Sequence, residues 1–462
     1  MKKYYIFLVI FFISTVTGFA QLGNNNMYLL KNLNEHQAAG LYAAIWGYVA
    51  PDGREYALLG ANNGTAFVDV TDSATISEVD FQPGPSSNWR EMKVYSHYAY
   101  IVTDVTTGVG VQIIDLQYLP DSIHLVKQWS FPGAFNIHTI SQEGHYLYLN
   151  GGDATPNGGI AIIDISDPVN PVKRGTWDEK YVHDSRIVGD RIFACNIYSF
   201  DGGTVTVIDA WDKDNPQTIG SWPNNPNPGP HNCAVTSNRK YCLVTDEING
   251  TPRLLKIWNI ENLTNVIQVA TWQPTGITTS IVHNVEVYGR YAIVGHYSAG
   301  VRVVDIMNPA APVEVAWYDT YPQDNDFDYD GCWGAYMFPS GKIIASDRQT
   351  GLYVLKTTFD LVTGIEPIIG EVPQSFELSQ NYPNPFNPTT KISFSITENS
   401  EVSLKVFDIN GREVAELING STDAGMYEVS FNAAEYGLTS GVYFYRLAAK
   451  DFVQTKRMML VK

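Results

Sequence analysis

Basic residues are scarce in this chain of 462 residues. Its 30 lysines and arginines stand against 48 aspartates and glutamates, so the net charge is −18. A surface of this sign repels the phosphate backbone of nucleic acids and the anionic surface of membranes. We therefore expect no nucleic-acid partner.

Cysteine is also rare. The chain has 4 cysteines, and none of them forms a C-x-x-C pair. Small secreted scaffolds depend on dense disulfides, so this chain must be stabilised by a packed core. We expect buried free thiols, although Cys233 and Cys242 are close enough in sequence to share a hairpin and pair.

Long apolar runs are missing after residue 20. No later segment approaches the ~18 apolar residues that span a bilayer, so we expect no transmembrane segment in the mature chain. Residues 1–20 differ, because two lysines precede an apolar stretch from Tyr4 to Val16 and small residues flank Phe19. This pattern is typical of a secretory signal peptide and predicts an exported protein.

Aromatic residues and glycine are abundant, with 28 Tyr, 20 Phe, 10 Trp and 38 Gly, as in turn-rich β proteins. A short β-branched strand, usually preceded by glycine and followed by an acidic or amide residue, recurs along the chain. Its copies are Gly64–Asp69, Gly110–Asp115, Gly159–Asp164, Gly203–Asp209, Arg253–Asn259, Gly300–Asp305 and Gly351–Lys356. Such units predict an all-β fold, a seven-bladed β-propeller closed by the strand at Met27–Lys31. The recurring carboxylates suit turns in which they accept backbone N–H bonds.

The C-terminal part has a different pattern. Residues 359–374 are irregular and contain Pro and Gly, which indicates a linker. Residues 375–462 alternate polar and apolar side chains in short runs, which predicts a small Ig-like β-sandwich. The predicted domains are therefore a signal peptide at 1–20, a propeller at 21–358, a linker at 359–374 and a sandwich at 375–462.

Four segments of the C-terminal domain carry a specific resemblance: Asn381–Pro388, Val406–Gly411, Ser440–Phe444 and Lys456–Lys462. Together they resemble the C-terminal sorting domain of the type IX secretion system. The resemblance implies that the type IX machinery recognises this domain. It also implies that the protein is secreted or attached to the outer surface.

The repeats resemble the LVIVD repeat in their glycine, β-branched strand, aspartate and following proline. The order of the segments at Trp46–Tyr48, Trp89–Val94, Tyr181–Asp184 and Trp333–Ala335 resembles the choice-of-anchor B family of bacterial surface propellers. The resemblance implies secretion and a propeller. It implies no established reaction.

One position at the start of each unit is enriched in histidine. The matched residues are Trp46, Arg90, His138, His183, His231, His283 and Trp333. In a propeller the first strand of each blade lines the central channel, so these side chains should form a ring. The following strand should end beside that ring, at Asp104, Asp153, Asn196, Asp246–Glu247, His296 and Asp347.

Imidazoles and carboxylates are ligands of Zn, Cu, Fe and Mn. We therefore predict a site for one transition metal ion. Its candidate ligands are His138, His183, His231, Asp246, His283 and His296. The alternative is a structural network in which the histidines donate hydrogen bonds to neighbouring carboxylates.

The sequence thus favours a secreted or cell-surface binding module for an extracellular protein, a glycan or a small ligand. The alternative function is a metal-dependent enzyme, an oxidoreductase for example, with a His/Asp site at the channel mouth. The chain has no nucleophile elbow, phosphate-binding glycine loop or HExxH motif. We assign no catalytic residue and no cofactor-binding residue.

Overall fold

The computed structural model describes residues 23–461, except 199, 201, 227, 362–365, 369–372, 374, 399, 423–424 and 435. The expected signal peptide at 1–20 lies outside these residues, as does most of the expected linker at 359–374. None of the helices in the described part of the chain has the length and apolar character needed to cross a membrane.

The first described elements are strands β1 (Asn24–Asn25) and β2 (Met27–Leu33) and a short 3₁₀ helix (Gln37–Ala39). Next come four antiparallel strands that form sheet 1. They are β3 (Tyr42–Val49), β4 (Glu55–Ala61), β5 (Gly64–Asp69) and β6 (Ser77–Pro83).

The same four-stranded antiparallel unit then recurs along the chain. Sheet 2 has β7 (Arg90–Tyr95), β8 (Tyr98–Thr103), β9 (Val111–Asp115) and β10 (His124–Trp129). Sheet 3 has β11 (Thr139–Glu143), β12 (Tyr146–Asn150), β13 (Ile160–Asp164) and β14 (Val172–Trp177). Sheet 4 has β15 (Asp184–Val188), β16 (Arg191–Asn196), β17 (Thr204–Asp209) and β18 (Gln217–Pro223).

Sheet 5 has β19 (Pro230–Val235), β20 (Tyr241–Asp246), β21 (Leu255–Asn259) and β22 (Ile267–Trp272). Sheet 6 has β23 (Val285–Tyr288), β24 (Tyr291–His296), β25 (Gly300–Asp305) and β26 (Val313–Tyr318), with β1 added at its edge. Sheet 7 has β27 (Cys332–Met337), β28 (Lys342–Asp347) and β29 (Gly351–Thr357).

The fourth strand of sheet 7 comes from the other end of this region. Strand β2 pairs antiparallel with β29, from Met27 opposite Thr357 to Leu33 opposite Leu352. The first strand of each sheet contacts the first strand of the next, and β27 of sheet 7 contacts β3 of sheet 1. Within the described residues the sheets therefore form a closed, propeller-like ring whose first strands lie innermost.

The recurring acidic residue ends the third strand of its sheet and has the predicted turn role. Asp69 accepts a hydrogen bond from the N–H of Thr71 at 2.9 Å. Asp305 does the same for the N–H of Met307 at 2.8 Å. Equivalent bonds form at Asp115, Asp164, Asp209 and Asn259. These side chains therefore accept hydrogen bonds from the backbone of their turns.

The C-terminal part of the described chain forms two antiparallel sheets. Their strands are β30 (Glu366–Ile368), β31 (Glu377–Leu378), β32 (Thr389–Ile396), β33 (Ser400–Phe407), β34 (Glu413–Thr422), β35 (Gly425–Asn432), β36 (Gly441–Ala449) and β37 (Phe452–Leu460). The strand orders are β30-β35-β32-β31 and β34-β33-β36-β37. Phe394 of one sheet and Tyr445 of the other belong to one apolar core.

All four cysteines of the chain lie in the ring region. They are buried and free, as predicted.

Candidate functional site

A small cavity lies where the innermost strands of six sheets meet. It is lined by Trp89, Glu91, His138, Thr139, His183, His231, Glu247, His283 and Trp333. Its volume of about 40 Å³ has room for a few water molecules or an ion, since one water needs roughly 10–15 Å³ on this measure. The candidate site is therefore small, polar and enclosed by side chains from most of the ring.

Four imidazole rings contact one another in order around this cavity. The centroid distances are 4.2 Å from His138 to His183, 4.2 Å from His183 to His231 and 4.0 Å from His231 to His283. The indole of Trp333 follows, 4.7 Å from His283. The four predicted ring histidines thus lie together.

Local irregularities in the strands help to orient two of these residues. The pairing of β19 with β20 shifts register between Pro230 and Cys233, at the position of His231. The pairing of β27 with β28 shifts between Cys332 and Gly334, at the position of Trp333. Such bulges bend a strand and redirect the side chain of the extra residue. Here they accompany side chains that line the cavity.

The protons of two histidines are fixed by backbone carbonyls. His231 Nδ1 lies 3.2 Å from the carbonyl oxygen of His283, and His283 Nδ1 is hydrogen-bonded to the carbonyl oxygen of Trp333. A carbonyl only accepts, so each Nδ1 must carry the proton. In the neutral rings Nε2 is then an unprotonated acceptor.

His138 and His183 form a chain with a carboxylate. His138 Nδ1 lies 2.6 Å from Asp104 Oδ2, and His138 Nε2 lies 2.8 Å from His183 Nε2. The hydrogen bond with His138 lowers the pKa of Asp104. With the Nδ1 proton held by Asp104, a neutral His138 accepts at Nε2 a hydrogen bond from His183.

Glu247 faces the unprotonated nitrogens of His231 and His283. Its Oε2 lies 3.8 Å from His231 Nε2 and its Oε1 lies 3.7 Å from His283 Nε2. These distances exceed the 2.7–3.2 Å of a hydrogen bond. The hydroxyl of Tyr297 donates to Oε1 at 3.0 Å and holds the carboxylate in place.

Burial controls the charge of the site. It holds the pKa of His183 and His283 well below the ordinary 6.5 and lowers that of His231, because a buried imidazolium loses its hydration. It raises the pKa of Glu91 to about 7. Near neutral pH the three imidazoles are therefore uncharged, which is the form that binds metal ions.

Models of two known families match parts of this chain. The secretion system C-terminal sorting domain matches residues 380–462. The LVIVD repeat matches residues 138–179 and 281–320. The chain therefore contains LVIVD repeats and a type IX sorting domain. The first LVIVD match begins at His138, and the second includes His283 and His296, so three of the predicted site residues lie in the matched repeats.

No curated protein matches this chain. Among solved structures, that of U3-55K has a TM-score of 0.50 at 9% identity and covers 71% of this chain and 98% of its own. A putative 6-phosphogluconolactonase from Bacteroides uniformis has a TM-score of 0.49 at 11% identity, and the match covers 64% of this chain and 88% of that one. The periplasmic gluconolactonase of Pseudomonas aeruginosa has a TM-score of 0.49 at 10% identity, and the match covers 84% of this chain and 99% of that one. At such identities the likeness concerns the fold alone.

Asp246, one of the predicted ligands, does not reach the cavity. Its carboxylate is fully buried, 2.8 Å from Lys256 Nζ, and accepts a hydrogen bond from Asn224 Nδ2 at 2.6 Å. Successive side chains of a strand point to opposite faces. Asp246 therefore points away from the cavity, toward Lys256 on the neighbouring strand. The next residue, Glu247, points into the cavity.

His296, another predicted ligand, also points away from the cavity. Its Nδ1 lies 3.1 Å from Ser280 Oγ, and its ring meets the edge of Trp272 at 6.1 Å. It does not line the cavity, and burial lowers its pKa to about 3. The next residue, Tyr297, is the one that contacts Glu247.

Arg90 shows this alternation in sheet 2. Its Nε donates to the carbonyl oxygen of Ala61 at 3.0 Å and its Nη2 to that of Pro85 at 2.6 Å. The flanking Trp89 and Glu91 line the cavity instead. The predicted ligand set contained neither of them. It also omitted Tyr297, and it omitted Glu247, which was expected beside the ring together with Asp246. All four residues lie one position from a residue that was predicted to face the channel or the ion.

Proposed function

We propose that this LVIVD-repeat protein is an exported seven-bladed β-propeller that binds a small polar or ionic ligand at the histidine cavity. In this proposal residues 1–20 are removed on export, residues 21–358 form the propeller and residues 375–462 form an Ig-like sorting domain. The sorting domain implies recognition by the type IX machinery and a location outside the cell or on its surface.

The observation that carries the proposal is the convergence of polar groups on one enclosed space. Binding sites combine apolar walls with a few precisely placed polar groups. Here Trp89 and Trp333 form part of the wall, and Glu247 and the histidine nitrogens face the interior. The volume of about 40 Å³ favours an ion or a ligand of a few atoms over a glycan or a peptide.

The metal-dependent oxidoreductase considered from the sequence is not favoured by the comparisons. The gluconolactonase likenesses have TM-scores of 0.49 and carry no argument about activity. We therefore propose a binding function and no reaction.

The test is thermal unfolding of the purified full chain with a panel of divalent metal ions, inorganic anions and short carboxylates. A ligand that binds only the native state raises the unfolding temperature. We expect at least one member to do so, and the shift to shrink in Glu247→Gln. Glu261→Gln is the control, because Glu261 is exposed and pairs with Lys240 away from the cavity.

Two results would overturn the proposal. One is a panel in which no member changes the unfolding temperature of the unaltered chain. The other is an equal shift in the unaltered chain and in Glu247→Gln, because the ligand would then bind elsewhere.

A further inference from the structure

We infer that the ligand of this cavity is a divalent first-row transition metal ion, bound by His183, His231 and Glu247 with His283 as the fourth ligand. The inference rests on the proposed function and names the class of ligand. It differs from the set predicted from the sequence, because Glu247 replaces Asp246 and neither His138 nor His296 is a ligand.

The first argument is the direction in which the histidine protons point. Metal-binding histidines almost always donate their second ring N–H to a carboxylate, a backbone carbonyl or water, which fixes the tautomer. His231 and His283 both do this at Nδ1, with the carbonyls of His283 and Trp333 as acceptors. Their Nε2 lone pairs are therefore free and face the same carboxylate.

The second argument is distance. One ligand atom from each of His183, His231 and Glu247 can be chosen so that all lie within 4.8 Å of one another. Glu247 oxygens lie 3.7–3.8 Å from the Nε2 atoms of His231 and His283. Two ligands about 2.1 Å from a tetrahedral ion are separated by roughly 3.4 Å. The two distances from Glu247 to His231 and His283 are too long for hydrogen bonds, and an inward shift of a few tenths of an ångström brings them to this value.

The third argument is the chemistry of the donors. Imidazole nitrogens with one carboxylate suit Zn, Mn, Fe, Ni and Cu, whereas Mg and Ca prefer sites built from oxygen alone. The carboxylate of Glu247 is held by the Tyr297 hydroxyl at 3.0 Å, so it is oriented before an ion arrives. Because Nδ1 carries the proton in both rings, no proton has to leave Nε2 of His231 or His283 when they bind.

His138 and Asp104 position a ligand rather than bind the ion. His138 Nδ1 is tied to Asp104 at 2.6 Å, and His138 Nε2 is tied to His183 at 2.8 Å. An ion on His183 Nε2 takes the place of the bond to His138, and the proton that this nitrogen donated moves to the unprotonated Nδ1 of the same ring. His138 is therefore the histidine of this cluster whose loss should least weaken binding.

The experiment uses the full chain, purified without metal-affinity resin, stripped with a chelator and dialysed. Zn²⁺, Mn²⁺ and Cu²⁺ are titrated separately by calorimetry, and the bound metal is then counted by inductively coupled plasma mass spectrometry. We expect one ion per chain. His231→Ala and Glu247→Gln should weaken binding on the order of 100-fold, because removal of outer-sphere partners alone costs 10–100-fold.

His124→Ala is the matched control, since His124 is exposed on the fourth strand of sheet 2 and should leave binding unchanged. Glu247→Gln keeps the size of the side chain and an acceptor for Tyr297. It therefore remains informative if His231→Ala fails to fold, as judged by circular dichroism.

Failure of this inference can be told from failure of the proposed function. If no metal binds, but another member of the ligand panel stabilises the chain through Glu247, the metal inference falls and the binding function stands. If no ligand of any class binds, both fall. Tight metal binding that persists in both variants would also overturn the inference.

Discussion

Replacement of Lys256 by methionine should destabilise the protein and leave the proposed metal site intact. Lys256 Nζ lies 2.8 Å from Asp246 Oδ2 and 2.6 Å from the carbonyl oxygen of Asn224, and it also contacts the carbonyl of Pro226. Both charged side chains have 0% exposure. Methionine fills a similar volume but donates no hydrogen bond, so Asp246 is left buried without its counter-charge.

The expected loss is large. Removal of one partner from a buried ion pair costs about 3–5 kcal/mol, because the remaining charge stays desolvated. The hydrogen bond that Asn224 Nδ2 donates to Asp246, at 2.6 Å, is kept in the variant and offsets part of this cost. We therefore expect Lys256→Met to lower the free energy of unfolding by about 3 kcal/mol. The double variant Lys256→Met/Asp246→Asn should recover part of it, because the buried charge is gone.

The assay is urea unfolding followed by tryptophan fluorescence, with metal content measured on the same preparations. The shift in midpoint multiplied by the slope gives the change in free energy. A loss below about 1 kcal/mol, which is typical of an exposed pair, would refute the assignment of Asp246 to a buried structural pair. So would a folded Lys256→Met protein that fails to bind a metal ion that the unaltered chain binds.

Other expectations concern the ring and its buried acids. Deletion of residues 23–33 should expose the edge of Gly351–Thr357 and give aggregated protein on size-exclusion chromatography, and a monodisperse product would contradict the closing role of β2. Gly295→Ala should lower the unfolding temperature by several degrees, since a Cβ there would lie 2.8 Å from the backbone of the next sheet, and an unchanged temperature would contradict that close packing. Burial raises the pKa of Asp319 to about 6, above its unfolded value of about 3.9, so the native state loses stability as pH rises from about 4 to 6. In urea unfolding, Asp319→Asn should therefore stabilise the protein at pH 8, by up to about 3 kcal/mol, and have little effect at pH 4. The opposite pH dependence would show that Asp319 is ionised at low cost.

The strand positions of the ring region could be predicted because their signals are local. Each repeat forms the third strand of a sheet and the turn that follows it. The glycine stands at or just before the start of the strand, the β-branched residues belong to the strand, and the acidic residue begins the turn. The hydrogen bond from Thr71 to Asp69 joins residues two apart.

The residues that line the cavity could be predicted only to within one position along each strand. The ring of His138, His183, His231 and His283 follows from matched positions in successive units. Which of two neighbours faces the cavity depends on where the strand ends and on bulges such as the one at His231. A one-residue change in register reverses the direction of a side chain. This is why the acid in the cavity is Glu247 and Asp246 pairs with Lys256.

The most direct test is a crystal of the full chain grown with Zn²⁺, with anomalous diffraction collected on both sides of the zinc absorption edge. We expect one strong anomalous peak, about 2.0–2.2 Å from His231 Nε2 and from a Glu247 oxygen, with His183 and His283 completing the coordination. A cavity without an anomalous peak, or zinc bound through Asp246 or His296, would contradict the proposed site.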